Sequence, residues 1–414
     1  MKLYLFLLSC LLAFLGGHMI NYSIIFLSLE WFNSHSLAGI GYGLCFGPPI
    51  ILGWFAGVYC DRYSPRKVLL IAQNSFFIAL LLLWLACDMP FDEVDDKNMR
   101  MILLLSGALF SGIGWSFVAP ARFATLPFYV AFAKESCSQK NKQKLTAATI
   151  VLNLMLMMGF GLAPMLLKQI QVAFNWHAVL LTATTMFALS SLILLPLSFK
   201  FSNKPTEYSS NKAFKEIKAS LLFVKQSSYL SQLLILASIA YLLMGPMQVI
   251  LPSIAKDNLG LSEIAQGNYL SLVAFSLIVG GLFAMVLKRK GKLGWQLLLT
   301  IFFAGFGIGL LALIDNLIVS VSLLILSACC GGIAISFIVA GLQHYSSDEH
   351  RGRIMSFYTI IGQAIPAASG VGAGLLAQSF SPSVAMAIIS GVIIVTMSIA
   401  LFTLKQVRQL DSYN

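Results

Sequence analysis

Apolar residues do not alternate with polar ones along this chain; they come in long unbroken blocks. Runs such as "LLLLWLA" at 80–86 and "VIIVTMSIALF" at 392–402 carry no period of two, which excludes the short alternating strands of a membrane barrel. A helix of about 20 apolar residues spans the hydrocarbon core of a bilayer. Twelve such blocks are found, at 3–29, 36–59, 67–87, 100–120, 145–167, 176–198, 229–253, 265–287, 295–314, 317–341, 354–378 and 384–404. The first begins like a leader, with Lys2 ahead of "LYLFLLSCLLAFLGG", but its apolar run continues to Leu29. That is too long for a cleaved leader core, so an uncleaved first helix is expected.

Composition agrees with the blocks. Of 414 residues, 58% are hydrophobic and 10% charged, with a mean hydropathy of +0.85. A soluble domain carries about 25% charged residues, so this chain lacks the side chains to cover a water-facing surface. The formal charge of +11 is a matter of topology rather than of a nucleic-acid partner. With twelve spans starting and ending inside, only Lys97, Arg100, Lys168 and Lys256 among the basic residues fall outside, and the acidic stretch "DMPFDEVDD" at 88–96 lies there too. This asymmetry is the positive-inside rule and predicts cytoplasmic N- and C-termini. No zinc-type Cys/His spacing and no GxxxxGK[ST] phosphate loop occurs, so neither a metal nor another cofactor is expected. The expected partners are a small molecule and the bilayer, and the expected state is a monomer.

The longest internal polar stretch, 200–228, divides the blocks into six and six. The domain reading is a six-helix bundle at 1–199, a cytoplasmic linker at 200–228 with a surface amphipathic helix near 211–224, a second bundle at 229–405, and a tail at 406–414. Two such halves suggest a duplicated transporter.

Between blocks two and three lies "GWFAGVYCDRYSPRKVLL", which reads Gly57-x3-Asp61-Arg62-x3-Arg66-Lys67. This resembles the loop motif of the major facilitator superfamily. The stretches "FVAPARFATLP" at 117–127 and "SSDEHRGRIMSFYTIIGQAIPAASGVGAGLLA" at 346–377 are similar to the branch that holds the enterobactin-exporter and macrolide-efflux proteins. The resemblance covers nearly the whole chain and implies an all-α fold of twelve transmembrane helices in two six-helix bundles. It also implies that Gly57, Asp61, Arg62, Arg66 and Lys67 form a conformational latch. Departures weaken proton antiport. "GFGLAPMLLK" at 159–168 keeps Gly159 and Pro164 of the antiporter motif but has Ala163, Leu167 and Lys168 at its other positions. Ala108 and Ser111 stand where an Arg is common, and Met285 replaces the Asp of the second-half loop motif.

Polar groups inside a bilayer are costly and usually face a cavity. His18 and Asn21 share one helix face, as do Ser111, Trp115 and Arg122, the last placed toward the cytoplasm; Tyr241, Gln248, Gln343 and Gln363 complete the candidate cavity. The resemblance puts most of these on the central helices. No Asp or Glu falls mid-span, which favours anionic, zwitterionic or neutral amphipathic cargo over organic cations. His18 is the candidate for proton coupling, because imidazole titrates near physiological pH. The expectation is a secondary transporter of the bacterial inner membrane, not an enzyme, working by alternating access, with export of a siderophore-like or drug-like molecule favoured. Import of a siderophore, acidic metabolite or lysophospholipid is the alternative, and a non-transporting sensor a remoter one.

Overall fold

The structure, a computed structural model, describes residues 2–90, 93–130, 139–197, 222–287, 292–347 and 350–409. Among these residues there are twelve helices long and apolar enough to cross a membrane, and no strand. Most of the linker, including most of the expected amphipathic helix near 211–224, lies outside the described residues.

The chain divides into two compact units, one of Met1–Pro205 with Leu261–Ser271 and one of Thr206–Gly260 with Leu272–Asn414. The first contains α1 (Lys2–Phe32), α2 (His35–Phe46), α3 (Pro48–Arg62), α4 (Pro65–Asp88), α5 (Val94–Val130), α6 (Gln139–Ala173) and α7 (Trp176–Leu194). There α4 packs along α5, and α1 against α6 and α7. The second contains α8 (Ser228–Tyr241) and α9 (Met244–Val249). After α10 (Glu263–Leu287), whose first turns belong to the first unit, it continues with α11 (Leu293–Leu311), α12 (Leu317–Tyr345), α13 (Arg351–Ser379), α14 (Pro382–Thr403) and the short α15 (Lys405–Arg408).

Local chemistry sets the ends. Asn33, with φ of 46°, turns the chain between α1 and α2, and Ser34 accepts from the Leu37 N–H at 3.1 Å to cap α2. Asn175, Ser227, Asn316 and Ser381 cap α7, α8, α12 and α14 in the same way. Large apolar side chains such as Ile51, Ile71, Leu326 and Phe402 point outward, the reverse of a water-soluble surface and the arrangement a lipid solvent requires.

Three elements differ from the sequence expectation. The block at 36–59 breaks at Gly47, because Pro48 and Pro49 bring no amide hydrogen to the ladder. The block at 229–253 breaks at Leu242–Leu243 and ends in a π turn at Ile254–Asn258. The helix of the block at 100–120, α5, does not stop near 120 but runs through Pro120 and Pro127 to Val130. Arg122 therefore sits within a helix rather than at its mouth, and it is completely buried.

Candidate functional site

Helices α1 and α5 build the site. His18 and Asn21 lie on one face of α1, and Ser111, Trp115 and Arg122 lie on one face of α5; all five are buried. The Ser111 hydroxyl donates to Asn21 Oδ1 at 2.8 Å, tying the two helices together. Gly17 makes the next contact possible, since a Cβ there would stand 2.7 Å from the Trp115 ring. With that space open, the Trp115 ring centroid lies 4.9 Å from His18 and the ring stacks at 6.1 Å on Phe14, while Phe76 meets it edge-on at 5.8 Å. Phe160 of α6 closes the other side of His18 at 5.5 Å.

Arg122 continues the row. Its guanidinium carbon lies 5.2 Å from the Phe14 ring centre, and Nη2 reaches the Ser190 hydroxyl at 3.4 Å. Ser190 also accepts from Gln73 Nε2 at 3.0 Å and donates to the Ser9 carbonyl at 2.9 Å. Ser191 donates to Gln73 Oε1. These interior polar residues of α1, α4 and α7 carried the same signal as His18, an isolated polar side chain inside an apolar block, but sequence reasoning passed over them.

What distinguishes the cluster is what it leaves unsatisfied. Among the described residues, six buried nitrogens of this cluster have no hydrogen-bond partner: His18 Nδ1 and Nε2, Asn21 Nδ2, Trp115 Nε1, and Arg122 Nε and Nη1. Buried polar groups are normally paired. Here the orphans are N–H donors, apart from the one ring nitrogen that a neutral imidazole leaves as an acceptor. Among the described residues no carboxylate pairs with Arg122.

A second charged cluster in the same unit is saturated. Lys168 is 3% exposed and ion-pairs with Glu263 at the start of α10. Its Nζ also donates to Gln171 Oε1 at 2.8 Å and lies 4.3 Å from the Phe26 ring centre. Gln171 and Trp176 in turn donate to Glu30. Gly267 fits this junction because a Cβ there would stand 2.6 Å from the Pro164 carbonyl and 2.9 Å from Lys168 Cβ.

In the second unit the Tyr241 hydroxyl donates to Tyr358 at 2.8 Å, Gln248 is buried in α9, Gln343 is exposed and Gln363 is half-buried. An apolar cavity of that unit is lined by Leu243, Met247, Leu277, Ile308 and their neighbours. Of the loop motif, the side chains of Asp61 and Arg62 lie outside the described ones, and Lys67 is exposed. Arg66 caps the end of α7, its Nε donating to the Leu194 carbonyl at 2.9 Å and its Nη2 to that of Leu195. No group of three or more His, Cys, Asp or Glu suited to a metal occurs among the described residues.

The model of the Major Facilitator Superfamily matches residues 6–370 and again 233–412. The chain belongs to that superfamily. It is accordingly a multi-pass membrane protein of a transporter family, with the twelve-helix fold. It is similar to the enterobactin exporter EntS of Shigella boydii serotype 4, with 24% identity over 91% of this chain and 86% of the relative. The enterobactin exporter EntS of Shigella flexneri is 25% identical over 85% of this chain and 80% of the relative. Among solved structures, the nucleoside transporter NupG superposes with a TM-score of 0.74 at 15% identity, covering 98% of this chain and 99% of that one. A peptide transporter POT in complex with sulfate gives 0.73 at 13% identity, covering 100% and 96%. At these identities the structural likeness concerns the fold alone.

Proposed function

We propose that this protein is a secondary active transporter of the bacterial inner membrane. It exports a small, amphipathic, acceptor-rich molecule, siderophore-like or drug-like and anionic or neutral, by alternating access. The observation that carries the reading is the set of six unpartnered buried nitrogens on His18, Asn21, Trp115 and Arg122. Leaving such groups unmade costs free energy in the resting protein, and a cargo rich in oxygen acceptors supplies the missing partners. The similarity to proteins named enterobactin exporters supports both the direction and the kind of cargo.

The loop Gly57–Lys67 is the proposed latch between conformations. An Asp61→Asn variant that inserts normally and transports like the parent would reduce it to a topogenic loop. The transport reading is tested with labelled enterobactin in inverted and right-side-out vesicles, with and without a proton gradient. Accumulation in inverted vesicles that collapses with the gradient is expected. Accumulation only in right-side-out vesicles would make the protein an importer, and movement in neither would remove this cargo.

A further inference from the structure

We propose that the Arg122 end of the cluster is an oxyanion site that selects cargo by charge: a carboxylate-type head binds the guanidinium, and a planar, largely apolar body lies toward Trp115 and His18. This deepens the transport reading and rests on it.

Arg122 carries the charge of the cluster. Its side chain is 0% exposed, so its charge has lost its hydration. Burial of a charge without a partner is strongly unfavourable, and a protein usually answers with a carboxylate. None does so among the described residues, and the polar groups nearby are poor substitutes. Ser190 is reached by Nη2 only at 3.4 Å, and its hydroxyl already accepts from Gln73 and donates to Ser9. The Cys10 thiol interacts with Arg122, but a thiol is a weak partner. Phe14 presents a ring face to the cation, which adds no hydrogen bond. Nε and Nη1 therefore keep their N–H groups free. A planar guanidinium with unfilled N–H bonds matches the geometry of a carboxylate or a similar oxyanion.

The surroundings set the rest of the cargo. Phe14 neighbours both the guanidinium, at 5.2 Å, and the Trp115 ring, at 6.1 Å, so the head and the neutral donors share one ring as a neighbour. Beyond it, Trp115 Nε1 and Asn21 Nδ2 can donate to neutral oxygens, and His18 can donate or accept, among Phe76 and Phe160. A cation finds no acceptor of opposite charge there among the described residues. A neutral molecule satisfies the far donors and leaves Arg122 unpaired. An anion with an apolar body satisfies both.

The test uses three near-isosteric probes of charge −1, 0 and +1: benzoate, benzamide and benzamidinium. Binding to the purified full chain in nanodiscs is read by titration calorimetry or tryptophan fluorescence. Charged hydrogen bonds of this kind favour benzoate over benzamide by about ten- to hundredfold, and benzamidinium does not bind. Arg122→Gln is expected to abolish the preference while keeping benzamide binding. Arg122→Lys is expected to keep the preference at lower affinity, which leaves the proposal testable should the Gln variant fail to fold. Equal binding of benzoate and benzamide, a preference that survives Arg122→Gln, or no binding of any probe to the parent protein would overturn the assignment. The readout is independent of transport. Benzoate preference in a protein that moves nothing would sink the transport reading alone, and transport by a protein without the preference would sink this one alone.

Discussion

Arg122 and Lys168 are both buried cations of the first unit, yet the fold treats them in opposite ways. Lys168 is enclosed by a complete set of partners: the carboxylate of Glu263, the amide oxygen of Gln171, and the faces of Phe26 and Trp176. Arg122 has a distant hydroxyl, a thiol and one ring face, with two of its nitrogens left unpartnered. A buried charge whose partners are all internal is part of the architecture, and removing one partner strands the other. A buried charge without them is a standing cost that structure alone does not explain. Positions that break a local rule without internal compensation are where function is to be sought.

The sharpest way to break this comparison is at transport. Arg122→Gln is expected to lower the transport rate of an anionic cargo at least about tenfold at unchanged membrane level, measured in vesicles; unchanged rates would make Arg122 a structural residue like Lys168. The opposite pattern is expected at the saturated cluster. Glu263→Leu alone leaves Lys168 without its acid and should cost about 1–2 kcal/mol, a modest figure because Glu263 is 48% exposed. Adding Lys168→Leu should recover most of that loss in chemical unfolding, because the stranded charge is then gone.

A smaller effect is expected from Gly17→Ala. The added methyl group meets the Trp115 ring, so the indole must shift. An apparent KM raised several-fold with little change in maximal rate would identify Gly17 as a residue that positions Trp115. Smallest and most specific is His18→Gln, which keeps hydrogen bonding and removes titration. Transport by this variant should show a flatter pH profile than the parent; a profile matching the parent would return His18 to packing.

Much of this was legible in the sequence, though unevenly. The spans could be read because twenty-residue apolar blocks are themselves the physical requirement for crossing lipid. The face shared by Ser111, Trp115 and Arg122 followed from helical spacing within one span. The helix breaks were harder. Pro48 ends α2 whereas Pro120 and Pro127 are carried within α5, and the sequence does not distinguish these cases, because neighbouring helices decide whether a freed carbonyl is satisfied. Satisfaction itself was beyond reach. Lys168 was visible only as a misfit in a glycine-rich motif, and its acid lies 95 residues away. That Arg122 lacks such a partner among the described residues depends on every helix around it. Periodicity tells which side chains share a face; it does not tell what stands opposite.

The most direct measurement compares the thermal unfolding of Arg122→Leu and Lys168→Leu, each purified without cargo in the same detergent. Arg122→Leu is expected to melt at or above the parent, because an unpaired buried charge has been replaced by an apolar side chain, and Lys168→Leu below it. An Arg122→Leu variant that falls as far as Lys168→Leu would show that the guanidinium is already paired within the fold, and would contradict the claim that it is held open for an anion.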